Sequence, residues 1–225
     1  MRDLTPSSSS YEGTRARVAS YFDGSATRVW ERLTSDAPVS RIRQTVRAGR
    51  DTMRALMLAQ LPADLRGARV LDAGCGTGAA SAELAARGAD VTAIDISPKL
   101  VEIAANRLPQ GLAGRVEFRA GDMLAAELGR FDHVIAMDSL IYYTQPDLEA
   151  ALEGLSARAG QITFTVAPRT ALLMGMWHAG RVFPRADRSP TMIPHDYRRL
   201  NVAGLSRVGR VSRGFYISEC LKVTG

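Results

Sequence analysis

Three carboxylates and a run of glycines carry the chemistry legible in this chain. Asp72 closes the short apolar run Val70-Leu71, and Ala73-Gly74-Cys75-Gly76-Thr77-Gly78 follows at once. Glycine has no Cβ, so such a run permits left-handed backbone and lets a ligand lie against bare peptide. The spacing Gly74-Cys75-Gly76-Thr77-Gly78-Ala79 also fits the dinucleotide fingerprint G-x-G-x-x-A, so the run alone admits either class of ligand. Asp72 argues between them. A cradle for pyrophosphate gains nothing from an anion inside it, whereas a cationic amino-acid group does. Asp95 stands about 20 residues beyond the first glycine, where a carboxylate accepts both hydroxyls of a ribose. Asp122-Met123 offers an acid for an adenine amino group and a thioether to pack on the ring.

The elements that must position these residues alternate. Val70–Asp72, Val91–Asp95, Val116–Arg119, His133–Met137 and Gln161–Val166 read as strands. Between them lie helical stretches: Ala79–Arg87, stopped by Gly88, and one capped by Ser97 with Pro98 at its first position. That second helix turns Leu100, Ile103, Ala104 and Leu108 inward. Another starts at Pro146-Asp147, with Leu148, Ala151, Leu152 and Leu155 inward. Strands separated by helices of this length predict a parallel α/β sheet. Its ligand crevice lies at the carboxyl ends of the strands, where the three acids fall. Ser206–Val211 and Phe215–Val223, joined through Ser212-Arg213-Gly214, predict a closing antiparallel hairpin.

Before the alternation the signal is helical. Val39, Ile42, Val46, Gly49, Met53, Leu56 and Gln60 step by three or four, a mostly apolar stripe, with Arg43, Arg47, Arg50 and Arg54 as a basic stripe beside it. Residues 1–10, with the run Ser7-Ser8-Ser9-Ser10, read as a disordered tail. Residues 11–66 read as an N-terminal helical arm, and 67–225 as the ligand-binding domain with a capping insertion over about 169–201. The charge is uneven: net +4 over 1–66, −5 over 67–168 and +7 over 169–225. Basic flanks suit an anionic substrate or peripheral contact with an acidic membrane surface. They lack the interleaved aromatics of a nucleic-acid platform, so no nucleic-acid partner is expected. Two cysteines, Cys75 and Cys220, make no disulfide framework, and no leader or membrane-spanning run is visible. A cytoplasmic protein, with at most peripheral contact with a membrane, is expected. His133, His178 and His195 show no metal-ligand spacing, and no protein-bound metal is expected.

Glycine run, preceding acid and successive strand-end acids together resemble the class I S-adenosylmethionine-dependent methyltransferases, whose sheet also ends in an antiparallel hairpin. The place after the fourth strand, where DNA and RNA base methyltransferases often carry an Asn/Asp-Pro-Pro-aromatic motif, reads Met137-Asp138-Ser139-Leu140-Ile141-Tyr142-Tyr143. Tyr21-Phe22-Asp23-Gly24 with Trp30, Arg47-Ala48-Gly49-Arg50-Asp51-Thr52, Phe183-Pro184-Arg185-Ala186-Asp187-Arg188-Ser189-Pro190 and Arg213-Gly214-Phe215-Tyr216 narrow the resemblance. With the strand-four segment they are similar to the magnesium-protoporphyrin IX methyltransferases of chlorophyll and bacteriochlorophyll synthesis, from about Tyr21 to Val223.

The resemblance implies S-adenosyl-L-methionine as co-substrate and a porphyrin propionate, that of ring C, as methyl acceptor, with magnesium carried in by the porphyrin. Asp72, Ala73, Gly74, Gly76, Gly78, Asp95, Ile96, Asp122, Met123 and Met137 are the candidate cofactor residues. Tyr142 is the candidate to orient the reacting carboxylate. Many relatives from oxygenic phototrophs carry a histidine there, so a histidine-base mechanism does not transfer. Tyr21, Trp30, Arg47, Arg50, Tyr143, Arg169 and Trp177 are the candidates for the porphyrin and its second propionate. The porphyrin-binding subunit of magnesium chelatase is the protein partner to consider. Competing readings are an O-methyltransferase for another apolar carboxylate or phenol, such as a quinone precursor, and a non-catalytic porphyrin- or cofactor-binding module.

Overall fold

A computed structural model of the chain describes residues 8–24, 26–34, 40–170, 173–175 and 190–225. Three helices come first: α1 (Ser8–Asp23), α2 (Ala26–Leu33) and α3 (Arg41–Leu58). The alternating part follows as β1 (Arg69–Ala73), α4 (Ala79–Ala86), β2 (Asp90–Asp95), α5 (Pro98–Arg107), β3 (Arg115–Ala120), β4 (Phe131–Ala136), α6 (Gln145–Ser156) and β5 (Ala159–Val166). The hairpin β6 (Leu205–Arg213) and β7 (Tyr216–Thr224) closes the chain. Among the described residues the strands form one seven-stranded sheet in the order β3-β2-β1-β4-β5-β7-β6. β1 to β5 run parallel, and β7 is antiparallel to both β5 and β6.

The local reasons for these elements are those read from the sequence. Ser97 accepts the Leu100 N–H and Pro98 stands at the first position of α5, while Thr144 caps α6 by accepting the Asp147 N–H. Leu148, Ala151, Leu152 and Leu155 are buried along α6. β1 is an interior strand between β2 and β4, with Val70, Leu71, Asp72 and Ala73 all buried, as expected of a strand covered on both faces. Its register sets Asp72 beside Ala93 of β2 and Ile135 of β4. Asp95 pairs with Ala120, which puts Asp122 just past the next strand end. The crevice therefore opens where β1 reverses direction of travel across the sheet, toward β2 on one side and β4 on the other, the usual place for a ligand in such sheets.

Several boundaries differ from the sequence reading. Helix α1 begins at Ser8, so residues 8–10 of the expected tail are helical, and the Ser10 hydroxyl donates to Asp147 at 2.8 Å. β4 runs from Phe131 to Ala136, leaving Met137 just beyond it. On α3 the buried residues are Gly49, Met53, Met57 and Leu58, whereas Ile42, expected on the apolar stripe, is 56% exposed. Of the expected capping insertion, residues 171–172 and 176–189 lie outside the described residues. Its ends are tied to the sheet: Arg169 N–H donates to the His195 carbonyl, His195 N–H to Ala167, and Ile193 N–H to Ile141.

Candidate active site

A cavity of about 360 Å³ lies above the carboxyl ends of β1, β2, β3 and β4, roofed by α1, α2 and α3. Its floor is the turn after β1. Gly74 and Cys75 both donate to the Ile94 carbonyl, at 2.8 and 3.0 Å, folding the turn back over β2. Gly74, Gly76 and Gly78 all have positive φ. A Cβ on Gly74 would stand 2.3 Å from the Ser139 side chain, so this turn and the β4 exit touch only because the residue is glycine. The Ser139 hydroxyl then donates to the Ala73 carbonyl at 2.7 Å.

Two carboxylates face this floor without a cation. Asp72 is 2% exposed and Asp95 8% exposed. Asp72 accepts from the Ser81 hydroxyl at 2.6 Å. Asp95 accepts from the N–H groups of Gly76 and Ser97, at 2.8 and 2.9 Å. Among the described residues neither has an ion-pair partner. Burial accordingly pushes the Asp72 carboxyl up to about 6, helped by the charge of Asp95 and opposed by Ser81. Burial raises Asp95 too, against the backbone hydrogen bonds that favour its anion. Buried acids held in this condition fit a ligand that brings positive charge and hydroxyl donors. A pyrophosphate would meet two anions here.

The remaining acids are paired. Asp122 accepts from the Tyr11 hydroxyl at 2.7 Å and from Arg15 at 2.6 Å, both on α1. Asp138, just past β4, forms an ion pair with Arg50 of α3 and accepts from the Tyr216 hydroxyl of β7. Arg50 also lies over the Trp30 ring, 4.6 Å from its centroid. Tyr142 lines the cavity between these groups, with Phe22 of α1 edge-on at 6.5 Å. Burial raises the Tyr142 phenol well above its ordinary value, and the nearby Asp138 charge adds to it. Tyr142 is thus a hydrogen-bond donor near neutrality and no base.

Of the expected cofactor residues, Asp72, Gly74, Gly76, Asp95, Ile96, Asp122, Met123 and Met137 line this one cavity. Ala73 and Gly78 do not. Ala73 is a buried strand end, and Gly78 is the residue before α4, at φ 80°, packed against Ala104. Of the expected substrate residues, Trp30, Arg47, Arg50 and Tyr143 line the cavity. Tyr143 is 3% exposed and stacks on Tyr11 with ring centroids 5.0 Å apart. Arg47 donates to the carbonyls of Leu33 and Arg32, tying α2 to α3. Tyr21 stands beside the cavity, edge-on to Phe22 at 5.1 Å, in a small cluster with Val18, Leu100 and Trp30. Arg169 is exposed away from it. Trp177 and His178 lie outside the described residues, as do Arg185 and Arg188.

Sequence reasoning passed over Asp138, Tyr216, Tyr11 and Arg15. For Asp138 a signal existed: an acid immediately after a strand end, as for Asp95. Tyr216 closes the Arg213-Gly214-Phe215-Tyr216 motif, which carried the resemblance but pointed to no role; Tyr11 and Arg15 owe their place to tertiary packing and left no local sign. Among the described residues no group of histidine, cysteine or acid side chains gathers in a way that would hold a metal. His195 is buried with its Nε2 3.1 Å from the Tyr143 carbonyl, a contact that ties the insertion to the β4 exit.

The sheet order with its antiparallel last pair, the glycine turn and the strand-end acids define a class I S-adenosylmethionine-dependent methyltransferase, and a general methyltransferase-domain model matches residues 70–158. The family model for the magnesium-protoporphyrin IX methyltransferase C-terminus matches residues 136–224. A magnesium-protoporphyrin O-methyltransferase of Rhodobacter capsulatus is 58% identical, over 95% of this chain and 98% of that protein. The crystal structure of magnesium protoporphyrin IX methyltransferase from Synechocystis, with bound SAH, superposes with a TM-score of 0.76 at 30% identity, covering 92% of this chain and 98% of that one. A ubiquinone biosynthesis O-methyltransferase of Xanthomonas oryzae is 37% identical, but over 54% of each chain. The chain belongs to the magnesium-protoporphyrin O-methyltransferase family, as its motifs indicated.

Proposed function

We propose that this chain transfers a methyl group from S-adenosyl-L-methionine to one propionate carboxylate of magnesium protoporphyrin IX, giving the monomethyl ester of bacteriochlorophyll synthesis. The observation that carries this reading is the end-to-end 58% identity to the Rhodobacter capsulatus enzyme. The cavity supports it independently, because two buried, cation-free carboxylates fit the charge of the methyl donor. On this reading Asp72 takes the donor's ammonium group, Asp95 its ribose hydroxyls, and Asp122 with Met123 its adenine. Ile96 and Met137 supply apolar walls.

When bound, S-adenosyl-L-methionine supplies an activated methyl group on a sulfonium, so the protein needs no strong base. The acceptor carboxylate is already ionised at neutral pH, with an ordinary value of about 4–5. What the chain's own residues must do is strip water from that carboxylate and aim it. Alignment of two reactants can be worth about 7–11 kcal/mol. Tyr142 orients the carboxylate by donating its hydroxyl proton in a hydrogen bond. Trp30, Tyr21 and Phe22 form the apolar wall against which the porphyrin plate lies, and Tyr143 backs that wall through Tyr11. Trp177 remains the insertion's candidate for the plate, whereas Arg169, exposed away from the cavity, is given no part in it. Arg50 meets the second propionate, while Arg47 serves the site by holding α2 over it.

Three finer points belong to the same reading. Esterification falls on the ring C propionate; the porphyrin reaches the enzyme from the porphyrin-binding subunit of magnesium chelatase; and the basic flanks allow peripheral contact with an acidic membrane. The deciding experiment incubates the protein with methyl-labelled S-adenosylmethionine and magnesium protoporphyrin. Labelled monomethyl ester is expected. Its absence from protein that measurably binds S-adenosylhomocysteine overturns the reading.

A further inference from the structure

Asp138 is held by more contacts than its place in the chain requires. Its backbone is left-handed, with φ 55°, unusual for a residue that carries a Cβ. Its side chain is 8% exposed. The Thr165 hydroxyl on β5 accepts the Asp138 N–H at 2.7 Å and donates to its Oδ1 at 3.1 Å. The Tyr216 hydroxyl on β7 lies 3.1 and 3.2 Å from the two carboxylate oxygens. Arg50 on α3 completes the set through one nitrogen, Nη1. A largely buried ion pair of this kind is weak evidence for stability, since desolvation offsets most of the attraction. Its effect is geometric.

That effect falls on Arg50. The guanidinium is held by the Asp138 carboxylate and by the face of Trp30. Its Nε and Nη2 have no hydrogen-bond partner among the described residues, and the residue lines the cavity. A planar guanidinium with an unused edge is the geometry that receives a carboxylate through two parallel hydrogen bonds. Trp30 in turn stands over the glycine turn, its Nε1 3.5 Å from where a Cβ of Gly76 would be. The free edge of Arg50 is therefore fixed relative to the methyl-donor site.

We propose that Asp138 is a positioning residue for regioselectivity: it locks Arg50 so that the guanidinium edge anchors the substrate's non-reacting propionate. With one propionate anchored there, only the other reaches Tyr142. The inference rests on the porphyrin reading above and adds the source of the choice between two nearly equivalent carboxylates.

The test uses Asp138→Asn in the full chain. Asparagine tolerates left-handed backbone and retains an oxygen for Tyr216 and Thr165, but removes the charge that holds Arg50. Three readouts separate positioning from a merely structural role. KM for magnesium protoporphyrin is expected to rise about tenfold, with kcat changed far less. The ester product is expected to become a mixture of the two regioisomeric monomethyl esters, resolved by chromatography. Arg50→Lys, which leaves Asp138 in place, is expected to give the same mixture. S-adenosylhomocysteine affinity and the unfolding midpoint serve as controls. A single regioisomer with unchanged KM in Asp138→Asn overturns the proposal, as does a loss of cofactor affinity and unfolding midpoint that accounts for the lost activity. If the unsubstituted protein forms no ester, the porphyrin reading falls instead. Fluorescence titration with magnesium protoporphyrin then still decides the anchor: equal affinity in both variants and the parent protein overturns it.

Discussion

Asp72 shows how the site sets function against stability. Its carboxyl is raised from 3.8 to about 6 because the group is buried without a cation. An acid raised in the native state binds protons more tightly there than in the unfolded chain. Its contribution to stability is therefore full below about pH 4 and is lost as pH rises through about 6. At neutral pH the ligand-free protein holds an anion it would be more stable without, by up to about 3 kcal/mol for a shift of this size. Asp72→Asn is thus expected to raise the urea midpoint of the ligand-free protein. The same change is expected to weaken S-adenosylhomocysteine binding by about 2–5 kcal/mol, since on the proposed reading the ligand ammonium loses its partner. In the parent protein, affinity measured by calorimetry should fall as pH is lowered from 7.5 through 6. A flat profile over that range would show that the ammonium is held elsewhere. Tyr142 gives a second prediction. Its phenol stays protonated, so Tyr142→Phe removes a donor to a charged acceptor, worth about 1.5–3 kcal/mol. The expected result is kcat lower by roughly 10- to 100-fold with S-adenosylhomocysteine affinity kept. Unchanged kcat would reduce Tyr142 to packing.

At the scale of elements, α3 is the piece on which the site depends most. It meets β7 through Gly49, where an added Cβ would stand 2.7 Å from the Tyr216 ring. Tyr216 carries a hydroxyl that holds Asp138, so helix, hairpin and β4 exit meet at this residue. Gly49→Ala is expected to destabilise the fold by about 1–3 kcal/mol, the usual range for an overpacked core position, read as a lower urea midpoint. If the midpoint does not move, the helix is free to slide on the hairpin and the positioning argument weakens with it. This contact also marks where sequence reading stopped. The strand–helix rhythm and the caps at Ser97 and Thr144 are local, and a window of a few residues contains their causes. Asp72, Asp95 and Asp122 were legible because parallel strands bring successive strand ends together whatever lies between. The arginine stripe was legible as a stripe, but not its division of labour. Arg54 goes to Glu83 and Asp51, Arg50 to Asp138, and Arg47 to two carbonyls, while Arg43 is left exposed. Apart from Asp51, three residues back on α3 itself, each partner lies on an element whose position only the tertiary fold supplies. The serine run misled for a related reason. Its composition reads as a tail, yet Ser10 is held by Asp147 on α6.

At the scale of the molecule, charge and exposed apolar surface coincide at the hairpin turn and the start of α3, among the described residues. Ile42 and Phe215 are 56% and 64% exposed, large for apolar side chains. They lie near each other, since Gly214 of the hairpin turn packs on Thr45, one helical turn from Ile42. Arg41, Arg43 and Arg213 are exposed around them. No described helix is long and apolar enough to cross a membrane. Two apolar side chains ringed by arginines are instead suited to resting on a surface of acidic headgroups. Each basic residue near such a surface contributes about 1 kcal/mol, and the attraction falls off within a Debye length. The protein is expected to co-sediment with phosphatidylserine-containing vesicles at low salt. It should be released as salt is raised and should pass neutral phosphatidylcholine vesicles by. Phe215→Ser should weaken the binding without altering S-adenosylhomocysteine affinity, because the residue lies outside the cavity. Failure to bind acidic vesicles even at low salt would exclude this face as a membrane contact. The basic flanks would then act through the anionic substrate alone, with Arg50 as the point where that charge is met.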